Sequence, residues 1–235
     1  MPMQSKTNKQ ARCHELDRFE LLYINLNHKE EMEQKPQWLK IKLSANDNFS
    51  NIKQALRENN LHTVCESAHC PNISECWSTG TATFMLMGDV CTRACKFCAV
   101  KTGNPMKRLD GDEPKKLAKA LAEIRLFDYV VLTSVNRDDL EDGGASHFAE
   151  CIREIKKTYP SMIIEVLIPD FRGDISALGK IADANPNVLA HNIETVERLQ
   201  KKVRDVRANY KQSLSVLENS KRINPKIYTK SSIML

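Results

Sequence analysis

Six of the eight cysteines in this 235-residue chain form two groups of three, at spacings that suit iron–sulfur chemistry. Three thiolates bind three irons of a cuboidal four-iron cluster and leave the last iron free for a substrate or cofactor. A fully ligated cluster mainly transfers electrons, whereas an open iron allows chemistry, so the pattern predicts two open clusters. The two groups are Cys65-x4-Cys70-x5-Cys76 and Cys91-x3-Cys95-x2-Cys98.

Disulfides and structural zinc are the alternative uses of so many cysteines. Disulfides are rare in reducing compartments, and we find no signal peptide that would direct the chain elsewhere. Structural zinc usually takes four ligands in close pairs, but each group holds three cysteines, with His69 as the nearby histidine. His69 lies between two ligand cysteines and is better explained as a solvated neighbour of a cluster than as a ligand. The spacing favours iron–sulfur over zinc.

Composition indicates a globular protein with one sizeable core. The chain is 41% hydrophobic and 28% charged, which suits one large domain or two small ones. Its longest apolar runs are far too short to span a membrane. The net charge of +5 is scattered and only 6% of residues are aromatic, so no nucleic-acid-binding stripe is expected, although a basic face can attract an acidic protein.

The first 35 residues read as a poorly ordered appendage. They mix basic side chains with several acids, whereas organelle transit peptides avoid acids, and no apolar segment of the secretory kind follows. Cys13 lies here, apart from both groups, and we expect a free thiol. A cytoplasmic location follows as an expectation.

Strands and helices alternate over most of the chain, which predicts an α/β fold. Residues 47–60 read as a short helix, and the first cysteine group follows in a polar loop. The β-like run 81–87 stops at Gly88, so the second group should lie just past the carboxyl end of a strand. Helices are then predicted at 115–126, 145–157, 175–182 and 209–220, and strands at 129–133, 162–168, 188–191 and 226–234.

Five parallel βα units fit this alternation, in an open doubly wound sheet or in a barrel. Both architectures bind ligands at the carboxyl ends of their strands. Two polar segments, 133–144 and 191–195, fall at such ends. The candidate binding side chains in them are Ser134, Asp138, Asp139, Asn192 and Glu194.

Each of these side chains also has a structural explanation. Asn192 can cap the next helix and Glu194 can open it, which accounts for the two about as well as binding does. Loop hydrogen bonds and helix capping explain Asp138 and Asp139 slightly better than binding, and Gly143-Gly144 suits a turn.

At these residues a family resemblance becomes visible. Cys91-x3-Cys95-x2-Cys98, with Phe97 before the last cysteine, resembles the radical S-adenosylmethionine signature, and the upstream group resembles the auxiliary-cluster motif of the lipoyl synthase family. The spacing of the second group alone indicates only the superfamily, whereas both groups in this order indicate the family. Supporting similarity runs from about Pro36 to the end, in Pro36-x-Trp-Leu-Lys40, Cys65-Glu-Ser-Ala-x-Cys-Pro-Asn72, the 133–144 segment, His191-Asn-Ile-Glu-Thr-Val196 and Tyr210-x-x-Ser-Leu214.

The resemblance implies a partial (βα)6-type radical S-adenosylmethionine barrel with about five βα units. Its domains would be the appendage 1–35, an N-terminal extension 36–80 with the auxiliary-cluster motif, and an incomplete barrel 81–235. The implied cofactors are two [4Fe–4S] clusters and S-adenosylmethionine. Cys91, Cys95 and Cys98 would hold the cluster that binds S-adenosylmethionine, and Cys65, Cys70 and Cys76 would hold the auxiliary cluster.

The resemblance also implies a reaction. One electron from the first cluster would split S-adenosylmethionine into methionine and a 5′-deoxyadenosyl radical, which would abstract hydrogens from C6 and C8 of an octanoyl chain. The auxiliary cluster would be consumed to supply the two inserted sulfurs. The octanoyl chain would be amide-linked to a lysine of a lipoyl carrier, the E2 component of a 2-oxoacid dehydrogenase or the glycine cleavage H protein. An electron donor such as ferredoxin or flavodoxin would feed the cluster.

Four side chains are predicted to contact S-adenosylmethionine in this family context: Phe97, Ser134, Asn192 and Glu194. Phe97 would pack near the adenine, although an aromatic ring beside a cluster can equally be plain shielding. Two further residues receive structural roles. Cys151 falls on the apolar face of a helix and is expected in the core, and His147 is expected at the surface.

One feature departs from the family pattern. Lipoyl synthases continue past the segment matching 230–235 with a glycine-rich turn, a further βα unit and an Arg-Ser-Ser-Tyr motif whose serine is the fourth auxiliary ligand. Ser231-Ser232 is not that motif, since it aligns with the strand itself. A fragment of a true synthase, a split enzyme and a degenerate iron–sulfur binding protein without activity of its own all fit this departure, and we favour a fragment.

Two other classes of function remain open. A biotin-synthase-like or methylthiotransferase-like sulfurtransferase would share the radical signature, but those proteins place their second cluster differently. A cluster-binding scaffold or electron carrier would need no further chemistry.

Overall fold

The computed structural model describes residues 48–234, which belong to one compact unit. Three sequence predictions fall outside these residues: the appendage 1–35, the free thiol of Cys13, and the Pro36–Lys40 motif. The boundary at residue 80 between extension and barrel stays a prediction.

A six-stranded sheet organises the unit, in the order β1-β2-β5-β6-β7-β8. The five strands from β2 to β8 are parallel to their neighbours, and β1 pairs antiparallel with β2 at one edge. Two short strands form a separate parallel ribbon. The strands of the main sheet are β1 His62–Thr63, β2 Thr83–Leu86, β5 Tyr129–Ser134, β6 Ile163–Leu167, β7 Val188–Ala190 and β8 Tyr228–Lys230. The ribbon is β3 Val90–Cys91 with β4 Lys101–Thr102.

Helices cover the outer face of this sheet and follow the order of the strands. Successive long helices contact one another, α4 with α5, α5 with α6, and α6 with α8, as expected when every parallel strand returns through a crossover helix. The eight helices are α1 Asn48–Glu58, α2 Val64–Ser67, α3 Ile73–Ser78, α4 Glu113–Ile124, α5 Ala145–Thr158, α6 Ile175–Asp183, α7 Gln200–Val203 and α8 Tyr210–Ile223. Two 3₁₀ turns lie at Phe171–Gly173 and Glu197–Leu199.

Local sequence explains where the long helices begin and what they bury. Pro114 lies in the first turn of α4, where its missing N–H costs no hydrogen bond. Asp174 and Asn209 cap α6 and α8 with side chains that accept from backbone N–H groups. The apolar face of α5, which includes Phe148 and Ile152, is fully buried between sheet and helices. Burial of such faces holds the helix layer on the sheet.

Two parts of the sequence prediction need correction in secondary structure. The first cysteine group does not lie in an open loop, since Cys65 belongs to α2 and Cys76 to α3. Each helix is too short to show a helical repeat in the sequence, and the polar composition suggested a loop. The last strand spans Tyr228–Lys230 and not 226–234. The other predicted helices and strands lie within a few residues of their observed bounds.

The sheet confirms the expected fold class, a partial barrel with five parallel strands. Among the described strands, β8 is the last of the sheet and pairs with β7 alone. Tyr228 on this edge strand is 74% exposed. No helix within residues 48–234 is long and apolar enough to cross a membrane.

Candidate functional site

The second cysteine group lies in a loop that leaves the sheet at the carboxyl end of β2. Met87 and Gly88 both adopt positive φ angles, +67° and +89°, and turn the chain away from the strand direction. The chain then forms the β3–β4 ribbon, which carries Cys91 and receives a hydrogen bond from Gly103 N–H to Cys91 C=O at 2.9 Å. The loop therefore lies where parallel α/β sheets bind their ligands.

Backbone amides point at two of the three sulfurs in this loop. Cys91 Sγ accepts from the N–H groups of Arg93 at 3.4 Å and Asn136 at 3.3 Å, and Cys95 Sγ accepts from Asp205 N–H at 3.4 Å. Burial raises the pKa of the Cys95 thiol, although the amide of Asp205 and the charge of Arg204 oppose the rise. Amide donors around thiolates stabilise their charge and tune a bound cluster.

A buried charge network fixes the loop to the ends of two other strands. The guanidinium of Arg93, 4% exposed, makes paired hydrogen bonds to Asp138 at 2.9 Å and to Asp170 at 2.7 Å. Desolvation alone would raise the pKa of Asp170, but the hydrogen bonds and charge of Arg93 outweigh it and hold the pKa below its usual range. One side chain from the cysteine loop thus joins the segments that follow β5 and β6.

A second carboxylate holds the loop from the opposite side. Asp205 Oδ2 accepts from Ala94 N–H at 2.9 Å, and Asp205 Oδ1 accepts from Arg207 Nε at 2.8 Å. Arg207 also approaches Asp138 at 3.4 Å, so the two carboxylate clusters form one network. Sequence reasoning did not identify Arg93, Asp205 or Arg207. Arg93 lies between two cysteines that are predicted to bind iron, and that position was the available signal.

A cavity of about 360 Å³ opens beside the second cysteine group. All four side chains predicted to contact S-adenosylmethionine line it: Phe97, Ser134, Asn192 and Glu194. The three cysteines line it as well, with Arg93, His191 and Arg204 at its polar side. The volume lies within the usual range for small-molecule sites.

Unpartnered polar atoms mark the walls of this cavity. Ser134 Oγ and Arg204 Nε are buried without a hydrogen-bond partner among the described residues. Buried polar atoms are nearly always paired, so these two fit a polar ligand in the cavity. Asp138 and Asp139 do not line the cavity; they form ion pairs with Arg93 and Arg137, so a structural role in the loop explains both, although neither caps the helix that follows.

Asn192 and Glu194 follow β7 and face the cavity from the last part of the sheet. Glu194 does not open a helix, which corrects that alternative: its backbone bridges to Ile233, and the next helical turn begins at Glu197. Glu194 has φ +69°, a conformation that non-glycine residues rarely adopt. Burial raises the pKa of its carboxyl, although a hydrogen bond with Asn192 opposes the rise.

His191, the residue before Asn192, is held as a neutral ring. Its Nδ1–H donates to the carbonyl of Ile168 at 2.9 Å, and its Nε2 lies 3.0 Å from Ser213 Oγ. Ser213 Oγ also accepts from Arg204 at 2.8 Å, so its own proton points to the imidazole. Burial lowers the pKa of His191, in agreement with a neutral form.

The first cysteine group forms a separate and more local structure. Cys70 N–H donates to Cys65 C=O at 3.0 Å, and Ile73 N–H donates to Cys70 C=O at 3.3 Å, so the segment folds back on itself. Burial, and then the nearby thiols of Cys65 and Cys70, raise the pKa of Cys76. The Cys76 thiol is therefore close enough to the other two for their charges to affect it. Val64, next to Cys65, lines the cavity of the second group.

The spacing of the sulfurs does not match a preformed site for a single zinc ion. At Zn–S distances of about 2.3 Å, tetrahedral zinc holds its sulfurs about 3.8 Å apart, whereas a four-iron cluster binds each cysteine through a different iron and separates them further. Among residues 48–234, neither cysteine group has its three sulfurs within 4.8 Å of one another. Within the described part of the chain, the one set that does meet this distance is Glu113, His147 and Cys151.

Three other predicted roles can be compared with the structure. Cys151 is fully buried, which confirms its place in the core. His69 is exposed, in agreement with a solvated residue. The surface assignment of His147 is wrong, because its side chain is only 8% exposed and lies 2.6 Å from Glu113.

Comparison with known proteins decides the family. The model of the radical SAM superfamily matches residues 85–235. This chain belongs to the radical SAM superfamily. The model for the N-terminal domain of lipoyl synthase of this family matches residues 3–70. A [4Fe–4S] cluster and S-adenosylmethionine are the cofactors of this superfamily, and the second cysteine group and the cavity beside it fit them.

Curated relatives of this radical SAM protein are lipoyl synthases. The chain is 62% identical to lipoyl synthase of Halobacterium salinarum over 205 residues, which cover 86% of this chain and 65% of the relative. It is 55% identical to that of Thermus thermophilus over 201 residues, 86% of this chain and 62% of the relative. It is 54% identical to mitochondrial lipoyl synthase of Bos taurus over 205 residues, 85% of this chain and 55% of the relative. The chain thus spans less than two thirds of the length of these relatives.

Solved structures agree on the fold alone. Methylornithine synthase superposes with a TM-score of 0.50 at 19% identity, over 83% of this chain and 53% of the other. The FeFe-hydrogenase maturase of Carboxydothermus hydrogenoformans gives 0.50 at 15% identity, over 80% and 48%. These similarities support the radical SAM barrel and carry no conclusion about substrate.

Proposed function

We propose that this radical SAM chain is the larger part of a lipoyl synthase, which inserts two sulfur atoms at C6 and C8 of an octanoyl group. The observation that carries the proposal is the pair of cysteine groups in one unit, of which only the second lines the cavity. The 62% identity to a named lipoyl synthase supports the same reaction. Such an enzyme is a sulfurtransferase.

The cavity residues would bind and orient S-adenosylmethionine. Ser134 Oγ and Arg204 offer unpaired donors to its carboxylate or ribose oxygens, and Glu194 and Asn192 offer acceptors to its amino and hydroxyl groups. Phe97, 43% exposed at the rim, has room to stack on an adenine. Cys91, Cys95 and Cys98 would hold the cluster, which would supply the electron for reductive cleavage of S-adenosylmethionine.

Apolar side chains in the same cavity would place an alkyl chain and exclude water. Met85, Val135, Leu167 and Ile168 line its floor and walls. Such a lining favours a fatty acyl chain over a charged substrate and protects a reactive radical from side reactions.

The first cysteine group would hold the sulfur-donating auxiliary cluster in the extension 36–80. Val64 lines the cavity directly before Cys65, so this group begins at the cavity wall. Two sites that share one wall suit a reaction in which one site makes a substrate radical and the other delivers sulfur to it. The barrel would then comprise 81–235.

We also propose the carrier protein and the electron donor. The octanoyl group would be attached to a lysine of a lipoyl carrier domain, from a 2-oxoacid dehydrogenase or the glycine cleavage H protein. Ferredoxin or flavodoxin would deliver the electron, and the net charge of +5 suits an acidic carrier or donor. A cytoplasmic location remains our prediction.

One incubation tests the proposal. The anaerobically reconstituted chain is mixed with reductant, S-adenosylmethionine and an octanoyl-lysyl peptide, with and without a supplied C-terminal segment of a relative. We expect about eight irons per chain, formation of 5′-deoxyadenosine, and lipoyl peptide when the segment is present. Stoichiometric zinc in place of iron, or no deoxyadenosine under either condition, would contradict it.

A split or inactive form is the second candidate, and one observation favours it. β8 has an unpaired edge within the described sheet, which a further strand from a second chain can extend. Two clusters without deoxyadenosine would indicate an iron–sulfur binding protein.

A further inference from the structure

Met87 is a strained residue at the junction between β2 and the loop of the second cysteine group. Its φ of +67° is rare for a residue other than glycine, and Gly88 follows it with a φ of +89°. A strained backbone persists only where its surroundings hold it. The backbone conformation of Met87 sets the direction in which the chain leaves the sheet toward Cys91.

A buried carboxylate holds the Met87 amide. Met87 N–H donates to both carboxylate oxygens of Glu113, at 3.1 and 3.0 Å. Glu113 lies in the first turn of α4 and is 5% exposed. A buried charge is costly unless it is hydrogen-bonded, and a charged acceptor makes a stronger bond than a neutral one.

His147 of α5 fixes the carboxylate in turn. Its Nε2 lies 2.6 Å from Glu113 Oε2, and its side chain is 8% exposed. The pair joins the starts of two helices to the end of β2. Neither side chain lines the cavity that holds the second cysteine group.

The other sides of Met87 are also occupied. Arg137 Nη1 donates to Met87 C=O at 3.4 Å, and Arg137 is itself 1% exposed and paired with Asp139. The Met87 side chain packs on Gly144 so closely that an added Cβ there would lie 2.2 Å from the sulfur. The left-handed turn is therefore fixed through its N–H, its C=O and its side chain.

We propose that Glu113, oriented by His147, is a positioning residue for the cluster loop: it holds the strained amide of Met87 so that the loop presents Cys91 to the cavity. The inference rests on the proposed function, since it assumes that the second cysteine group binds the cluster that reduces S-adenosylmethionine. Glu113 acts through the backbone and touches no substrate.

A metal-binding site explains the arrangement of the same residues less well. Cys151 Sγ lies within 4.8 Å of the ligand atoms of Glu113 and His147, which is the spacing of a metal-binding set. However, both carboxylate oxygens already accept from Met87, and the 2.6 Å contact with His147 is a direct hydrogen bond. Two ligands of one zinc ion at about 2.0–2.1 Å would lie about 3.3 Å apart.

Amide hydrogen exchange tests the positioning role without requiring any activity. Exchange of the peptide covering 85–91 is measured by mass spectrometry in the cluster-free chain, in Glu113→Ala, and in the control Glu123→Gln on the exposed side of the same helix. Loss of a charge-assisted hydrogen bond should speed exchange there about tenfold in Glu113→Ala. Glu113→Gln keeps a carbonyl acceptor and should restore most of the protection. Glu123→Gln should match the unchanged protein.

The reconstituted proteins supply a second readout. We expect Glu113→Ala to lose iron from the second group, retaining about four irons per chain, and to lose the change that S-adenosylmethionine causes in the electron paramagnetic resonance signal. Glu113→Gln should recover both. If Glu113→Ala does not fold, exchange at 85–91 is compared in Glu113→Gln and Glu123→Gln: measurably faster exchange in Glu113→Gln supports the positioning role, because the charge of the acceptor is lost, and equal exchange overturns it.

Three results would overturn the positioning role. Unchanged exchange at 85–91 in Glu113→Ala is the first, and full iron and an unchanged signal in that variant is the second. Stoichiometric zinc in the native chain that Glu113→Ala removes is the third, because it would make the set a metal site. Failure of the proposed function is distinguishable, since it would leave the native chain without deoxyadenosine while the exchange result stood.

Discussion

The two cysteine groups are held in opposite ways. Around the second group, hydrogen bonds and ion pairs reach across the chain: Arg93 joins Asp170, and Asp205 holds both Ala94 and Cys95. Around the first group, the bonds are short-range, such as Cys70 to Cys65 and the capping of α2 by Thr63. The second site depends on contacts between distant parts of the barrel, whereas the first is held mainly by hydrogen bonds within its own segment.

This difference suits the two proposed roles. A radical must be generated beside one C–H bond, so its site needs a rigid frame that many strands share. A cluster that is consumed must release its sulfur and be rebuilt, which a local frame at the edge of the cavity permits. Five predictions test the comparison, from the largest expected effect to the smallest.

Removing one cysteine from each group should affect only that group's cluster. Cys95→Ala should lower iron from about eight to about four per chain and abolish the spectroscopic response to S-adenosylmethionine, and Cys70→Ala should lower iron equally while keeping that response. Iron analysis with electron paramagnetic resonance checks both. Cys151→Ala is the matched control and should keep all the iron. A joint loss of both clusters in either variant would break the comparison.

Breaking the buried charge network should destabilise the fold strongly. Asp170→Asn should lower the free energy of unfolding in urea by about 3 kcal/mol, because Arg93 is left without one of its two carboxylates. The control Glu123→Gln weakens the exposed pair with Lys119, whose atoms are 3.7 Å apart, and should cost below about 0.5 kcal/mol.

The same network predicts a pH dependence. The pKa of Asp170 is held below its usual range, so its contribution is complete above the unfolded pKa of about 3.9 and is lost as the pH falls through the folded pKa. The difference between native protein and Asp170→Asn should thus be constant above about pH 5 and shrink below about pH 4. A difference that grows toward acid pH would contradict this sign.

Ser134 should matter to the second group's ligand and not to its cluster. Ser134→Ala removes an unpaired hydroxyl from the cavity wall and should weaken binding of S-adenosylmethionine about tenfold, the value of one hydrogen bond of about 1.4 kcal/mol. Calorimetry on the reconstituted protein measures this, and iron content should stay the same. Unchanged affinity would remove Ser134 from the binding site.

Thr63 tests the local frame of the first group. Its side chain accepts from Glu66 N–H at 3.2 Å and caps the helix that carries Cys65. Thr63→Ala should cost about 1 kcal/mol of stability and speed the loss of auxiliary iron to a chelator. The second group's cluster should lose iron at its native rate. Equal acceleration of both would show that the two frames are not separate.

Features that depend on residues close together in the chain could be predicted from the sequence. Both cysteine groups and the strand that precedes the second were visible because each depends on a few consecutive residues. Ser134, Asn192 and Glu194 were found because ends of parallel strands converge, and Phe97 because it precedes the last cysteine in the family motif; all four line the same cavity. Their roles in binding stay predictions.

Contacts between distant parts of the chain were not predictable. Arg93 meets Asp170 across 77 positions and Asp205 meets Cys95 across 110, and no periodic pattern connects such pairs. His147 was misplaced because its helix position alone suggested solvent, whereas its carboxylate partner comes from another helix. Pairing of buried charges is settled by packing, which a single sequence does not reveal.

Formation of 5′-deoxyadenosine in the two cysteine variants tests the central claim most directly. Cys70→Ala and Cys95→Ala are reconstituted, reduced and incubated with S-adenosylmethionine, and the product is quantified by mass spectrometry. The assignment of radical formation to the second group predicts deoxyadenosine from Cys70→Ala at a rate near that of the native chain, and none from Cys95→Ala. Deoxyadenosine from Cys95→Ala, or its absence from Cys70→Ala while the native chain forms it, would contradict that assignment.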